Sequence, residues 1–449
     1  VTPGSRARAG IAAALLAAAG VQIWAGLALL GLQADGAYCV RAMLTGPGLA
    51  CIEPARRVVQ IAMEAPALGA LLLGLRDLHA VAVIFSLSLQ LLPLLLTALA
   101  CALAPGRQPR LMVLPLIAYF AGSSAVASIG MNEGPSAAAW FWVMFYALLR
   151  APERRGPMTV LAVGAALTLF AHEAMALLSP ILAAAAWWRG TQAGRARPVF
   201  RALAGWFAVV TAVQWCFVVW PHNAANRDGF VRQMLALQFL AGPHWINVPG
   251  AVGLCAGGAL LAAWRWPRIG GVAASGFAVV CALLLAGTLA WPDTFLSPGS
   301  QFFARDMPAI LSLPLAAIAM LEWRHARVAW PAAGRVIATL AAATLLYQLA
   351  QARAWAQGTD AFRMALQGPP GIVAWEDAVA AAPPAQRAAL MRMNWGWTMP
   401  DLSIMLSEGG DVRRLVRNPK DHGWQPWSPD DRATWPAGAL FAIRAPPTP

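Results

Sequence analysis

The chain has 449 residues, of which 59% are hydrophobic and only 12% charged, and its mean hydropathy is +0.58; this excludes an ordinary water-soluble globule. A net charge of +13, from 33 basic against 20 acidic side chains, comes without a basic patch interleaved with aromatics. It therefore points to cytoplasmic loops and lipid headgroups, not to nucleic acid.

The N-terminal stretch "SRARAGIAAALLAAAGVQIWAGLALLGLQ" has a short basic start and then an apolar run longer than the roughly 7–15 residues of a signal-peptide core. It reads as a retained first span, 9–32. The first acidic residue after it is Asp35, in "LQADGAYCVRAMLTGPGLAC". Cys39 and Cys51 stand either side of "VRAMLTGPGLA", and in an oxidising compartment they are expected to form a disulfide.

Residues 55–75, "ARRVVQIAMEAPALGALLLGL", carry Arg57, Gln60 and Glu64 on one helical face and Val58, Ile61, Ala65 and Leu68 on the other. The pattern predicts an interfacial helix on the outer surface, bent near Pro66. Further spans are expected at 78–104, 111–129, 136–150, 158–171, 174–188, 202–220, 249–264, 270–291, 306–322 and 336–353. With the first, that makes eleven. Several fall short of the roughly 20 residues of a perpendicular crossing and need packing into the protein or local thinning.

Arginines fix the expected orientation, because cationic loops stay on the cytoplasmic side. With Arg6 and Arg8 inside, the groups around Arg107, Arg150, Arg189, Arg265 and Arg324 fall inside as well. The N-terminus is then cytoplasmic and the tail periplasmic, as in a bacterial inner-membrane protein. Arg41, Arg56, Arg57, Arg227 and Arg305 are exceptions on the outer side, and they require a reason.

Polar residues also gather on that outer side. "SIGMNEGPSAAAWFW" puts Glu133 at a turn between short spans, and "LTLFAHEAMALLSP" puts His172 and Glu173 at the apex of a hairpin too short to cross twice comfortably. An ionisable pair at such depth is costly unless it meets a polar cavity or partners. "PHNAANRDGF" and Arg305-Asp306 join the same face. Solvated loop carboxylates, a helix-end cap and a headgroup anchor remain the plain readings of each piece; convergence on one face favours a site.

Cys101, Cys216, Cys255 and Cys281 lie in apolar runs as small core residues, and no cysteine spacing suggests zinc. Trp187, Trp188, Trp220, Trp264 and Trp323 fall near span ends, as an aromatic belt does. After about residue 355 the composition turns to Pro/Gly turns, charges and short apolar runs. A transmembrane domain, 1–355, and a small extracytoplasmic α+β appendage, 356–449, are expected. In the appendage "WGWTMPDLSIML" holds a helix start and "GALFAIRA" a strand, either as its core or as part of a lid.

The fold class is thus an all-α polytopic membrane protein with an outer juxtamembrane helix and a C-terminal appendage. This layout, with an acidic residue just after the first span, resembles the GT-C superfamily of integral-membrane glycosyltransferases. "ARRVVQIAMEAPALGALLLGLRDL", "MNEGPSAAAWFW" and "AHEAMALLSP" resemble segments of proteobacterial membrane proteins of this size. The resemblance implies transfer of a sugar from a polyprenyl-phosphate carrier to a periplasmic glycan, lipid or protein. It also implies a catalytic carboxylate in the first outer loop, a position that Asp35 matches. Asp35 is followed by Gly36 rather than a second carboxylate, so no metal ligand set is assigned, and a divalent cation stays an open option. For such chemistry Asp35 would be the base and Arg305 the grip on the donor phosphate. Glu133, His172 and Glu173 would orient the acceptor or support the base. A transporter or lipid flippase, or a non-catalytic scaffold of a polysaccharide pathway, would share the architecture; no inverted repeat marks a transporter.

Overall fold

The computed structural model describes residues 3–33, 35–46, 48–50, 53–123, 133–151, 155–220, 255–256, 258–259, 269–290, 301–325, 330–393, 398–407 and 412–417. Among them the chain is almost entirely helical. Helix α1 is Pro3–Leu27, and two helices, α2 (Asp35–Thr45) and α3 (Arg57–Leu72), separate it from α4 (Leu78–Leu103). Then follow α5 (Pro109–Ala118), α6 (Glu133–Arg150), α7 (Arg155–Thr168), α8 (Met175–Gln192) and α9 (Arg197–Val219). After these come α10 (Gly270–Ala290), α11 (Gln301–His325) and the long α12 (Trp330–Leu366). The last part holds β1 (Gly371–Ala374), α13 (Trp375–Ala381), α14 (Pro384–Arg392), α15 (Met399–Leu406) and β2 (Arg414–Arg417), with β1 and β2 paired in parallel.

Helices occupy ten of the eleven stretches expected to span, while 249–264 lies almost wholly outside the described residues. Length and apolarity suffice for a membrane crossing in α1, α4 and α9. The outward surface has membrane character, since Leu16, Leu95, Val163, Val209 and Leu283 are exposed while amides and carboxylates lie within. Helix α6 is the axis of the bundle. It is buried along its length except at Trp140, as expected of a helix apolar all round; Phe141 stacks on Phe145, and Trp142 meets Phe141 and Tyr146 edge to face.

At the end of the bundle where α4 and α6 finish, arginines close helix termini. Arg150 Nη1 donates to the Ala102 carbonyl at 3.0 Å, and Arg189 Nη2 to the Ala151 carbonyl at 2.6 Å. Orphan carbonyls and the negative end of the helix dipole both favour a cation there.

Two apolar cores divide the chain. One joins the first part of α1 and α4 through α12 around α6; the other joins the end of α1, α2, α3 and the start of α4 to the upper part of α12 and residues 375–416. Helix α12 itself crosses the 355/356 boundary without a break, so the C-terminal segment is seated on the first loop. An ion pair buried between α2 and α15, Arg41 Nε to Asp401 Oδ1 at 2.5 Å, fastens them. "GALFAIRA" lies outside the described residues.

The elbow from α1 to α2 is tight. Leu29, buried, takes φ 61° and ψ 27°, a left-handed conformation that costs a non-glycine residue roughly 1–2 kcal/mol. The Gly31 N–H donates to Ser86 Oγ of α4 at 2.7 Å. A Cβ on Gly36 would stand 1.7 Å from the Gly31 carbonyl oxygen, which explains why no second carboxylate can follow Asp35. Gly36→Ala gains about 1 kcal/mol of helix propensity but forces the elbow open at roughly 1–3 kcal/mol. The expected outcome is a lower melting temperature in detergent; a higher one would show that the elbow yields freely.

Candidate functional site: a buried guanidinium between two carboxylates

Helix α3 buries a mixed face, in which Gln60 and Glu64 stand among Val59, Met63, Ala67 and Leu71. Gln60 and Glu64 are buried against the protein, whereas Ile61, Ala65, Leu72 and Leu73 are exposed. The sequence put Arg57 on the face of Gln60 and Glu64, but Arg57 is exposed alongside Ile61 and Ala65, because it opens the helix at the surface. The inward polar groups are satisfied locally: the Ala50 N–H donates to Glu64 Oε2 at 2.6 Å, and the Glu53 N–H to Gln60 Oε1 at 2.6 Å.

Just before α3, Arg56 sits in a 3-10 turn, Pro54–Arg56, and points into the bundle. Its Nε donates to both oxygens of Glu173, at 2.9 and 2.7 Å, and its Nη1 donates to Glu133 Oε2 at 2.8 Å. Gln60 Nε2 donates to the other Glu133 oxygen at 2.6 Å. Both Glu133 oxygens thus accept, as an ionised carboxylate requires. Burial pushes the Glu173 carboxyl up, but the Arg56 charge, aided by its hydrogen bonds, outweighs it, and the pKa falls to about 2. Burial likewise opposes the Arg56 charge, and the two carboxylates overcome it.

The turn between α7 and α8 delivers Glu173. Its backbone is tied on both sides: the Val58 N–H donates to the Phe170 carbonyl at 2.9 Å, and Gln214 Nε2 of α9 donates to the Leu169 carbonyl at 2.7 Å. His172 is buried, and its Nδ1 accepts from the Ala174 N–H at 3.0 Å. The same nitrogen stands 3.6 Å from Glu173 Oε2.

The structure brings Glu133, His172 and Glu173 together from α6 and the α7–α8 turn. It places Asp35 elsewhere in the first loop, as the opening residue of α2, half-buried beside the second core. Arg305 lies early in α11, with its side chain outside the described residues. Cys39 is disulfide-bonded, its expected partner Cys51 lies outside the described residues, and Cys101, Cys216, Cys255 and Cys281 are free.

Arg56 and Gln60 are the members that sequence reasoning missed. An arginine on the wrong side of the charge bias was their signal. Two of the arginines that depart from the charge bias have reasons: Arg41 is spent on Asp401, and Arg56 on Glu133 and Glu173. Among the described residues no three His, Cys, Asp or Glu side chains gather as a metal would require. As a unit the cluster locks α3, α6 and the α7–α8 turn into one rigid floor beneath the first loop. No protein-family model, curated protein or solved structure matches the chain.

Proposed function

We propose that the protein is a membrane glycosyltransferase that moves a sugar from a polyprenyl-phosphate-linked donor to a periplasmic glycan, lipid or protein. The observation that carries this reading is the placement of Asp35. It opens α2 at the end of a strained, sealed elbow between two helices apolar enough to cross a membrane, and α2 and α3 are both held rigidly between them. Strained, over-determined backbone is where a fold holds a reactive group in place. In this reading the N-terminus is cytoplasmic, the first loop and the C-terminal segment face the periplasm of a bacterial inner membrane, and Asp35 takes the proton of the acceptor hydroxyl. Arg305 grips the departing phosphate, a task for which its planar fork suits it better than a lysine. Glu133 and Glu173, held by Arg56, and His172 beside Glu173 support the loop rather than touching the reacting atoms.

The test is transfer of a labelled sugar from polyprenyl-phosphate donors bearing hexose, N-acetylhexosamine or pentose, by purified protein in nanodiscs. Transfer by the wild type is expected, and its failure with every donor rejects the reading. Arg305→Ala is expected to weaken binding of polyprenyl phosphate about tenfold or more, as loss of a charge-assisted pair does. Unaltered binding removes Arg305 from the phosphate site.

A further inference from the structure

A second set of buried polar groups runs along the contact between α1 and α12, apart from the Arg56 cluster. Gln22 Nε2 of α1 donates to Gln348 Oε1 of α12 at 2.9 Å. The Gln22 side chain also hydrogen-bonds Tyr119, and Gln351 hydrogen-bonds Tyr347. Gln348, Gln351 and Trp355 recur at three and four residues, so they share one face of α12 over about 10 Å of its length. Gln22, Gln348, Tyr119, Tyr347, Gln351, Trp355 and Gln33 are all buried.

The two helices run in the same direction. Ile11 and Ala18 of α1 and Val336 to Tyr347 of α12 belong to one core, while Ala25 to Leu32 and Ala352 to Leu366 belong to the other. Helix α12 also packs against the Leu30–Leu32 turn. Climbing from the Gln22–Gln348 pair, α12 carries Gln351 and Trp355 to where it packs against the Leu30–Leu32 turn, and Gln33 follows that turn, two residues before Asp35.

Its lower part is ordinary interhelical glue, amide to amide. Its upper part is not. Gln351 Oε1, Trp355 Nε1 and Gln33 Oε1 are buried and meet no hydrogen-bond partner among the described residues. A buried polar atom left unmet costs stability, and three in one seam ask for a use. Two are acceptors and one is a donor, all on neutral side chains. That set suits hydroxyl groups, which donate to amide oxygens and accept from an indole N–H; with two acceptors, one donor and no cation it favours a neutral ligand over a phosphate or a carboxylate.

We propose that the upper seam, formed by Gln33, Gln351 and Trp355, binds an uncharged, hydroxyl-rich group, a sugar, next to Asp35. The binding chemistry stands on these residues alone; its assignment to the head group of a lipid-linked donor rests on the glycosyl-transfer reading. A lipid-linked sugar and a free glycoside offer the same hydroxyls, and the experiment separates them.

Gln351→Leu and Trp355→Phe each remove an orphaned atom, the first together with the amide that meets Tyr347 and the second together with part of the ring. Wild type and both variants are to be melted in nanodiscs, alone and with polyprenyl-phosphate-linked sugars (hexose, N-acetylhexosamine and pentose), bare polyprenyl phosphate, or the methyl glycosides. Without ligand both variants are expected to melt somewhat below the wild type, Gln351→Leu for the lost bond to Tyr347 and Trp355→Phe for the space its smaller ring leaves. The wild type is expected to bind at least one sugar-bearing probe, and each variant to bind it tenfold or more weakly with bare polyprenyl phosphate unaffected. Preference for the methyl glycoside over the lipid-linked sugar keeps the seam as a sugar site and counts against the donor assignment. Equal affinity of variants and wild type for every sugar-bearing probe, or no sugar binding by the wild type, overturns the proposal. Sugar binding that depends on Gln351 without any transfer would leave the seam standing and reject only the glycosyl-transfer reading.

Discussion

Replacing Arg56 with alanine is expected to destabilise the protein by about 3–5 kcal/mol, because it strands two buried carboxylates that now share one guanidinium. The loss comes less from the missing attraction than from desolvated charge with nothing to offset it. Arg56→Lys keeps the charge but reaches as a single point, so it is expected to fall between alanine and the wild type. Combining Arg56→Met with Glu133→Gln and Glu173→Gln removes all three charges and is expected to recover most of the stability. Thermal and denaturant unfolding in detergent reads all of these. A loss below about 1 kcal/mol in Arg56→Ala would mean that the pairs are screened like surface ones.

The same cluster sets a pH dependence. The Glu173 carboxyl has its pKa lowered from 4.5 to about 2 in the folded protein, so the unfolded state binds the proton first. Its contribution, about 3 kcal/mol, is complete above pH 4.5 and is lost as the pH falls towards 2. In Glu173→Gln that acid-side loss is expected to flatten. Wild-type steepness in the variant would assign the acid lability to other carboxylates.

Asp35→Asn is expected to slow sugar transfer by about 10²–10⁴-fold while leaving donor affinity and melting temperature near those of the wild type. The amide keeps the shape of the carboxylate but takes up a proton poorly, so the chemical step suffers and binding does not. Helix α2 begins with this residue, and an asparagine there serves the helix start as well as an aspartate does. A stability loss would therefore indicate a structural role. Transfer at the wild-type rate in the purified variant would remove Asp35 from the reaction even if the protein proved to be a glycosyltransferase.

Much of the helical layout was legible in the sequence because burial in lipid and burial in protein leave the same apolar runs. Helix α3 shows both the reach and the limit of that reading. Its two faces were plain from the spacing of Gln60, Glu64, Ile61 and Ala65, but which face turned inward depended on what waited there to receive it. The same holds for the C-terminal segment. A change in composition near 355 suggested a separate appendage, whereas α12 carries straight through it and Asp401 closes on Arg41.

By itself the sequence determined the class of the molecule: composition and apolar runs settle its helical, lipid-suited character, since transfer from water depends on the residues and not on their arrangement. It also marked Glu133, His172 and Glu173 as ionisable groups in need of partners. Only the tertiary structure decided which partners they have. Arg56 meets Glu133 across 77 positions and Glu173 across 117, and Gln22 meets Gln348 across 326. No local pattern encodes such pairs, because a hydrogen bond acts over about 3 Å and is made by whichever side chains the packing of the helices brings within reach.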